Sequence, residues 1–396
     1  MKERWVSFFD HVVEYSLYAM IFFIPISKAG IEIFFSFAIF AFYAKKFLKP
    51  NFKSFLRPIN FFLFFFIAFN TLSLFNSGPY FKKSLISLIF KWGEYFLIFL
   101  LIEDTFSSYR RIRNALFILL SFSLVVGIDG LSQYFFNVEF LRHKSSVAIT
   151  NGISAITAAF NHYNDFGAYL VVVLSLVLAL FLPRQRRFDR LALILSLILF
   201  EVCLLLTFSR GAWIGFIFLL VLMLFLSRKF KELTIILTIF IILLIAMPIT
   251  RGRLAFIFKI GGDADRLRIW QATLSMVKEN PFLGKGIGTF MDYFSKRAPN
   301  LLIQYAHNCF LQIWAETGIF SLLSFLAFVS VLLSKGIATF KKTNNYMLLG
   351  MSCGIFGFLV HSFFDTHFYS LQLSALFWSI AGILAALINL ETDVSK

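Results

Sequence analysis

The sequence predicts an all-α, polytopic integral membrane protein. Three observations predict it. Of the 396 residues, 59% are hydrophobic and 15% charged, against about 45–50% and about 25% in soluble domains. The apolar residues gather into runs close to the roughly 20 residues that cross a bilayer as a helix. The cations concentrate in alternate connections, as the positive-inside rule requires. This composition excludes an ordinary soluble enzyme, a disordered chain and a disulfide scaffold. Cys203, Cys309 and Cys353 sit far apart in apolar runs, with no C-x-x-C and no His-rich cluster, so they read as small buried hydrophobes. A net charge of +16 would point to nucleic acid in a soluble chain. Here it fits connections that face anionic lipid, and no nucleic-acid partner is expected.

Along the chain, twelve spans are expected, near 11–28, 30–44, 58–77, 83–102, 114–135, 163–182, 191–207, 212–227, 233–250, 309–333, 345–364 and 368–390. The first follows only Lys2 and Arg4 and lacks an A-x-A cleavage site, so it reads as a retained span, not a signal peptide. The first two part at Pro25–Gly30, and the last two at the short connection around Asp365–His367. With the N-terminus taken as cytoplasmic, the inner connections hold 21 Lys and Arg and the short outer ones 6. An even number of spans then leaves both termini inside. No internal repeat or linker is visible, so residues 1–396 are expected to form one membrane domain.

The long connection 251–308 departs from the charge pattern. Taken as an outer loop, it carries 9 cations against Asp263, Asp265, Glu279 and Asp292. Loops on a rigid scaffold commonly carry function, and this one should take an anionic ligand. Asp265 as a cap and Pro281 as a stop predict a helix over 266–279. Ile269, Trp270, Thr273, Leu274 and Val277 share one face, suited to lying on the membrane surface. Arg266 falls in the first turn. There it either helps a helix N-terminus bind phosphate or pairs with Asp263 or Asp265. Asp263-Ala264-Asp265 has a D-x-D spacing that can hold a divalent metal, but capping accounts for it and no metal is assigned. Gly284-Lys285-Gly286-Ile287-Gly288 lacks a P-loop ending and reads as a turn that needs positive φ or close backbone approach.

His307 and Asn308 stand at the entry of the tenth span, with Gln312 and Glu316 behind them on one helix face. A carboxylate inside a membrane helix seldom faces lipid, so this group reads as the wall of a polar cavity. Arg210, in T-F-S-R-G-A-W, is the only charge between Glu201 and Arg228. It is either a snorkelling interfacial arginine or an inward anion ligand. Asn164 and Asp165 begin the sixth span, and His361 and Asp365 end the eleventh. All these polar groups are expected at the outer face.

Those residues resemble the O-antigen ligase and O-antigen polymerase family of bacterial membrane glycosyltransferases. The resemblance rests on S-R-G-A-W at 209–213, on R-L-R-I-W with N-P-F-L-G-K-G-I-G within 266–288, and on H-N-C-F-L-Q-I-W-A-E-T-G at 307–318. N-H-Y-N-D-F-G-A-Y-L at 161–170 and H-S-F-F-D at 361–365 also fit. Together the blocks run from about 160 to 390; the first 150 residues match only as hydrophobic spans.

The resemblance implies a bacterial inner-membrane enzyme with a periplasmic site that includes the 251–308 loop. It implies transfer of a glycan from an undecaprenyl-pyrophosphate carrier to an acceptor hydroxyl, without metal or other cofactor. The preferred acceptor is the lipid A core of a ligase; a polymerase uses a second carrier-linked glycan, and related enzymes a protein hydroxyl. The family's arginines map to Arg210 and Arg266, and its histidine to His307; Arg268 is a cation the motif does not require. On this basis Arg210 and Arg266 neutralise the leaving pyrophosphate. His307 accepts the acceptor's proton, with Asn308 or Glu316 fixing its tautomer. Asn164, Arg268, Asn308, Gln312 and Glu316 are the expected substrate-binding residues. Direct transfer would invert the anomeric centre. The rival from another class is a transporter or flippase of an anionic glycolipid. Such sites tend to lie at the midplane between repeats, which this sequence does not show.

Overall fold

Short polar side chains begin and end the helices where the apolar runs stop. The computed structural model describes residues 1–150, 153–183, 186–246, 250–252, 264–298 and 305–394. Helix α1 (Lys2–Phe23) leads to α2 (Lys28–Leu48), which Ser27 caps by accepting from the Gly30 N–H at 3.1 Å. α3 (Phe61–Leu72) lies within the apolar stretch Pro58–Asn76. α4 (Phe81–Ser87) and α5 (Gly93–Thr105) are joined by a π-helical turn at Leu88–Trp92. Ser108 caps α6 (Tyr109–Phe136), which stops at Asn137 in the left-handed region, φ 59°. A small antiparallel hairpin, β1 (Val147–Thr150) and β2 (Ile153–Ala155), follows. Then come α7 (Tyr163–Phe181), α8 (Arg187–Leu206), α9 (Arg210–Ser227) and α10 (Phe230–Ala246). The long connection holds α11 (Ala264–Glu279) and α12 (Phe290–Arg297). The chain ends in α13 (Cys309–Thr343), α14 (Tyr346–Ser362) and α15 (Leu371–Val394).

Each of the twelve expected apolar windows falls on a helical segment. Among the described residues, seven segments are long and apolar enough to cross a membrane: Pro58–Asn76, Gly78–Thr105, α6, α7, α9, α13 and α15. The other windows fall on α1, α2, α8, α10 and α14. Of these, α14 is apolar but 17 residues long, while α1, α2 and α8 carry several charges. The all-α, multi-pass architecture is therefore as expected.

Large apolar side chains point outward as well as inward. Phe40, Phe117 and Phe225 are 71%, 70% and 68% exposed, which suits a hydrocarbon solvent and not water. α7 and α15 form the enclosed centre. α14 packs on α7 and α9, α15 on α5, and α13 on α3. This packing gathers the N-terminal ends of α7, α9 and α13 and the C-terminal end of α14 at one end of the bundle.

One local expectation falls outside the described residues and another needs correction. α11 is described from Ala264, and Asp263 and the side chain of Asp265, the expected cap, lie outside what is described. The buried face of α11 is Ile269, Thr273, Met276 and Val277, while Leu274 is 39% exposed. The 3.6-residue period puts Met276, not Leu274, in line with Ile269 and Thr273. That face packs on α12 and α13, so it is not free to rest on a membrane surface.

Candidate active site

Asp365, in the turn between α14 and η-turn His367–Tyr369, is the hub of a buried polar chain. Its Oδ1 lies 3.2 Å from His307 Nδ1 and accepts from the Thr366 N–H at 2.8 Å. Its Oδ2 accepts from Asn164 Nδ2. Asn164 Oδ1 in turn accepts from Ser209 Oγ at 2.7 Å, and Ser209 Oγ lies 3.3 Å from His361 Nε2. Two helix N-termini are held at this chain. Ser209 caps α9, and His162 Nδ1 caps α7 by accepting from the Asn164 N–H at 3.1 Å. Burial keeps His162 below its ordinary value, so its ring stays neutral and Nδ1 remains an acceptor.

Burial alone would push Asp365 toward its neutral form. His307, His367 and His361 overcome it and hold the carboxyl well below the usual carboxylate range. His367, buried beside this carboxylate, is pushed down to about 4, chiefly by burial. His307 is 36% exposed, unlike His361 and His367, which are both 1% exposed. Its own backbone is left-handed, φ 50°, a conformation uncommon outside glycine and concentrated at functional sites.

Arg210 and Arg266 meet although 56 positions separate them. Both line one cleft of about 40 Å³ together with Tyr163, Asn164, Gly211 and His361. Gly211 is required there: a Cβ would stand 2.5 Å from His361 Cδ2. α11 delivers Arg266 because Trp270, one turn on, donates from Nε1 to the Ala306 carbonyl at 3.1 Å, immediately before His307. Arg268 faces away and is exposed.

The remaining expected site residues form a different structure. Asn308 is buried, and its Oδ1 accepts from the Phe310 and Leu311 N–H groups, both at 3.0 Å, to cap α13. Gln312 Oε1 accepts from the Ala306 N–H at 2.9 Å. Glu316 accepts from the Gly288 N–H at 3.0 Å, the Phe290 N–H at 3.2 Å and Tyr369 OH at 3.0 Å. Neither Asn308 nor Glu316 is the partner of His307; Asp365 is. The glycine-rich turn docks on a break in α13 at Gly318, φ 82°. There the Lys285 and Gly286 N–H groups donate to Ala315 and Glu316 carbonyls at 3.0 and 2.8 Å.

Sequence reasoning therefore located Arg210, Arg266, His307 and Asn164, which the fold brings together. It left Asp365, His361, Ser209 and His162 without roles. The signal for His361, Asp365 and His162 was present in H-S-F-F-D-T-H and N-H-Y-N at span ends, and that for Ser209 in T-F-S-R-G-A-W.

Comparison with curated proteins finds no match. Residues 194–326, about a third of the chain, match the family model described as O-antigen ligase. That segment contains Arg210, Arg266 and His307, the three residues on which the sequence resemblance turned.

Proposed function

We propose that the protein transfers a glycan from an undecaprenyl-pyrophosphate carrier to an acceptor hydroxyl, preferably on a lipid A core, at the periplasmic face of a bacterial inner membrane. The observation that carries this reading is the convergence of Arg210 and Arg266 on one cleft beside the His307–Asp365 pair. Breaking the bond from the sugar C1 to pyrophosphate leaves a multiply charged anion. Two guanidiniums bind its non-bridging oxygens bidentately and offset the charge as it grows, so no metal is called for. With His307 Nδ1 turned to Asp365, Nε2 is left to take the proton of the attacking hydroxyl. The Asp365 carboxylate steadies the imidazolium that forms. Attack opposite the leaving group inverts the anomeric centre. Glu316 supports the site by anchoring the 284–290 turn, and Gln312 by holding Ala306 beside His307.

Purified protein in detergent tests the proposal. Supplied with carrier-linked glycan and offered lipid A core, a second carrier-linked glycan or a protein acceptor, it should form one glycosylated product identified by mass spectrometry. Product from one of the other acceptors would make it a polymerase or a protein glycosyltransferase. No product with any acceptor, alongside carrier translocation in sealed vesicles, would make it a flippase. Arg210→Ala or Arg266→Ala should each slow transfer roughly 10- to 150-fold, the equivalent of a lost charge-assisted contact of about 1.5–3 kcal/mol. Lysine should rescue poorly because it lacks the fork.

A further inference from the structure

At the far end of the bundle from His307, a groove of about 560 Å³ opens between α6 and α8, with α7 as its floor. Its polar groups are unevenly placed. Arg110, Arg113 and Asn345 stand at one end, whereas Leu116, Leu120, Leu124, Val177, Leu193 and Phe200 line the shaft.

The length of the groove matches one leaflet. From Arg110 to Leu124 the α6 axis rises about 21 Å at 1.5 Å per residue. Half a hydrocarbon core is about 15 Å and one headgroup layer about 6 Å. The three arginines at the start of α6 also divide their work. Arg111 turns inward, its Nε 2.8 Å from Glu14 Oε2, and pairs with Asp10 as well. Arg110 and Arg113 are exposed at the groove mouth and make no ion pair among the described residues. Two cations above an apolar slot are complementary to a phosphate attached to an acyl chain.

We propose that this groove binds an anionic membrane phospholipid, with its phosphate on Arg110 and Arg113 and one acyl chain along α6 and α8. Basic pockets between membrane helices are suited to such headgroups. A zwitterionic lipid of equal chain length would fill the shaft but gain less at the mouth.

Native mass spectrometry of the full chain in detergent, with an equimolar mixture of phosphatidylglycerol and phosphatidylcholine of the same acyl chains, tests this. The wild type should retain phosphatidylglycerol by about tenfold to thirtyfold, which two near-surface arginines supply. Arg110→Gln with Arg113→Gln should bring the ratio to parity while keeping some of both lipids. Ser196→Trp, which fills the shaft from α8, should lower retention of both. Added phosphatidylglycerol should raise the melting temperature of the wild type more than that of the double variant, whose own melting temperature without lipid shows that it folds. Equal retention of the two lipids by the wild type would overturn the proposal. So would an unchanged preference in the double arginine variant, or unchanged retention in Ser196→Trp.

Discussion

Asp365 shows what a single largely buried carboxylate does when three hydrogen-bonding groups face it. It orients His307, receives Asn164 and, through Asn164, fixes Ser209 at the start of α9. Replacing it by asparagine keeps the volume and removes the charge that favours an imidazolium at His307. We expect Asp365→Asn to lower the transfer rate by a factor within the range of about 10²–10⁴ for a lost general base, with carrier-lipid binding retained through the arginines. His307→Gln should fall equally far, and the double variant little further, because the two act as one unit. A freely additive loss in the double variant would separate Asp365 from the proton transfer. An active His307→Gln variant would reduce His307 to orienting the acceptor.

At the scale of elements, the turn 284–288 and the break in α13 are one interlock. A Cβ on Gly318 would lie 1.9 Å from the Phe282 carbonyl oxygen, and φ there is 82°. Gly318→Ala should therefore cost more than about 3 kcal/mol, read as a large drop in melting temperature. Glu316→Gln keeps the shape but turns an amide donor toward one of the Gly288 and Phe290 N–H groups, which bond different carboxylate oxygens. We expect a loss of about 1–3 kcal/mol, with activity reduced in step with folded protein, whereas a substrate ligand would lose activity in fully folded protein. The α14–α15 connection makes a separate prediction. His367 titrates near 4 in the fold and near 6.5 when unfolded. The unfolded chain thus binds the extra proton first, so this stability is present above about pH 6.5 and is lost as pH falls toward 4. The change is about 3 kcal/mol, and His367→Gln should flatten the melting curve over that interval. These elements also show what the sequence could reveal. Helices were legible because apolar length is a local property, and Arg210 and Arg266 because isolated charges among apolar residues stand out. Helix spacing correctly placed Gln312 and Glu316 on one face but carried no information about what covers it. The His307–Asp365 pair spans 58 positions and exists only because α14 lays its C-terminal end against the start of α13, a packing outcome that no local pattern encodes.

For the whole molecule, the proposed transfer requires the end of the bundle that holds His307 to face the compartment where carrier-linked glycan and acceptor meet. The charge pattern supports the proposal that this end faces the periplasm. The connections at the opposite end hold Lys45, Lys46, Arg110, Arg111, Arg113, Lys335, Lys341 and Lys342, and positive charge resists translocation. The 251–308 connection is basic too, yet long connections cross largely regardless of charge, and this one folds back through α11 onto α13. Cysteine labelling decides the orientation cleanly because all three native cysteines are buried. Ser295, on α12, is exposed, and Ser295→Cys places a reactive thiol there without touching the cleft or the glycine-rich turn. In intact spheroplasts an impermeant maleimide should label this variant, while wild type stays unlabelled. A second thiol on the opposite end, Ser334→Cys near the exposed end of α13, should react only after lysis. The reverse pattern would place His307 and the arginines in the cytoplasm, where a lipid-linked donor awaiting export would be the available substrate and the proposed transfer would lose its setting.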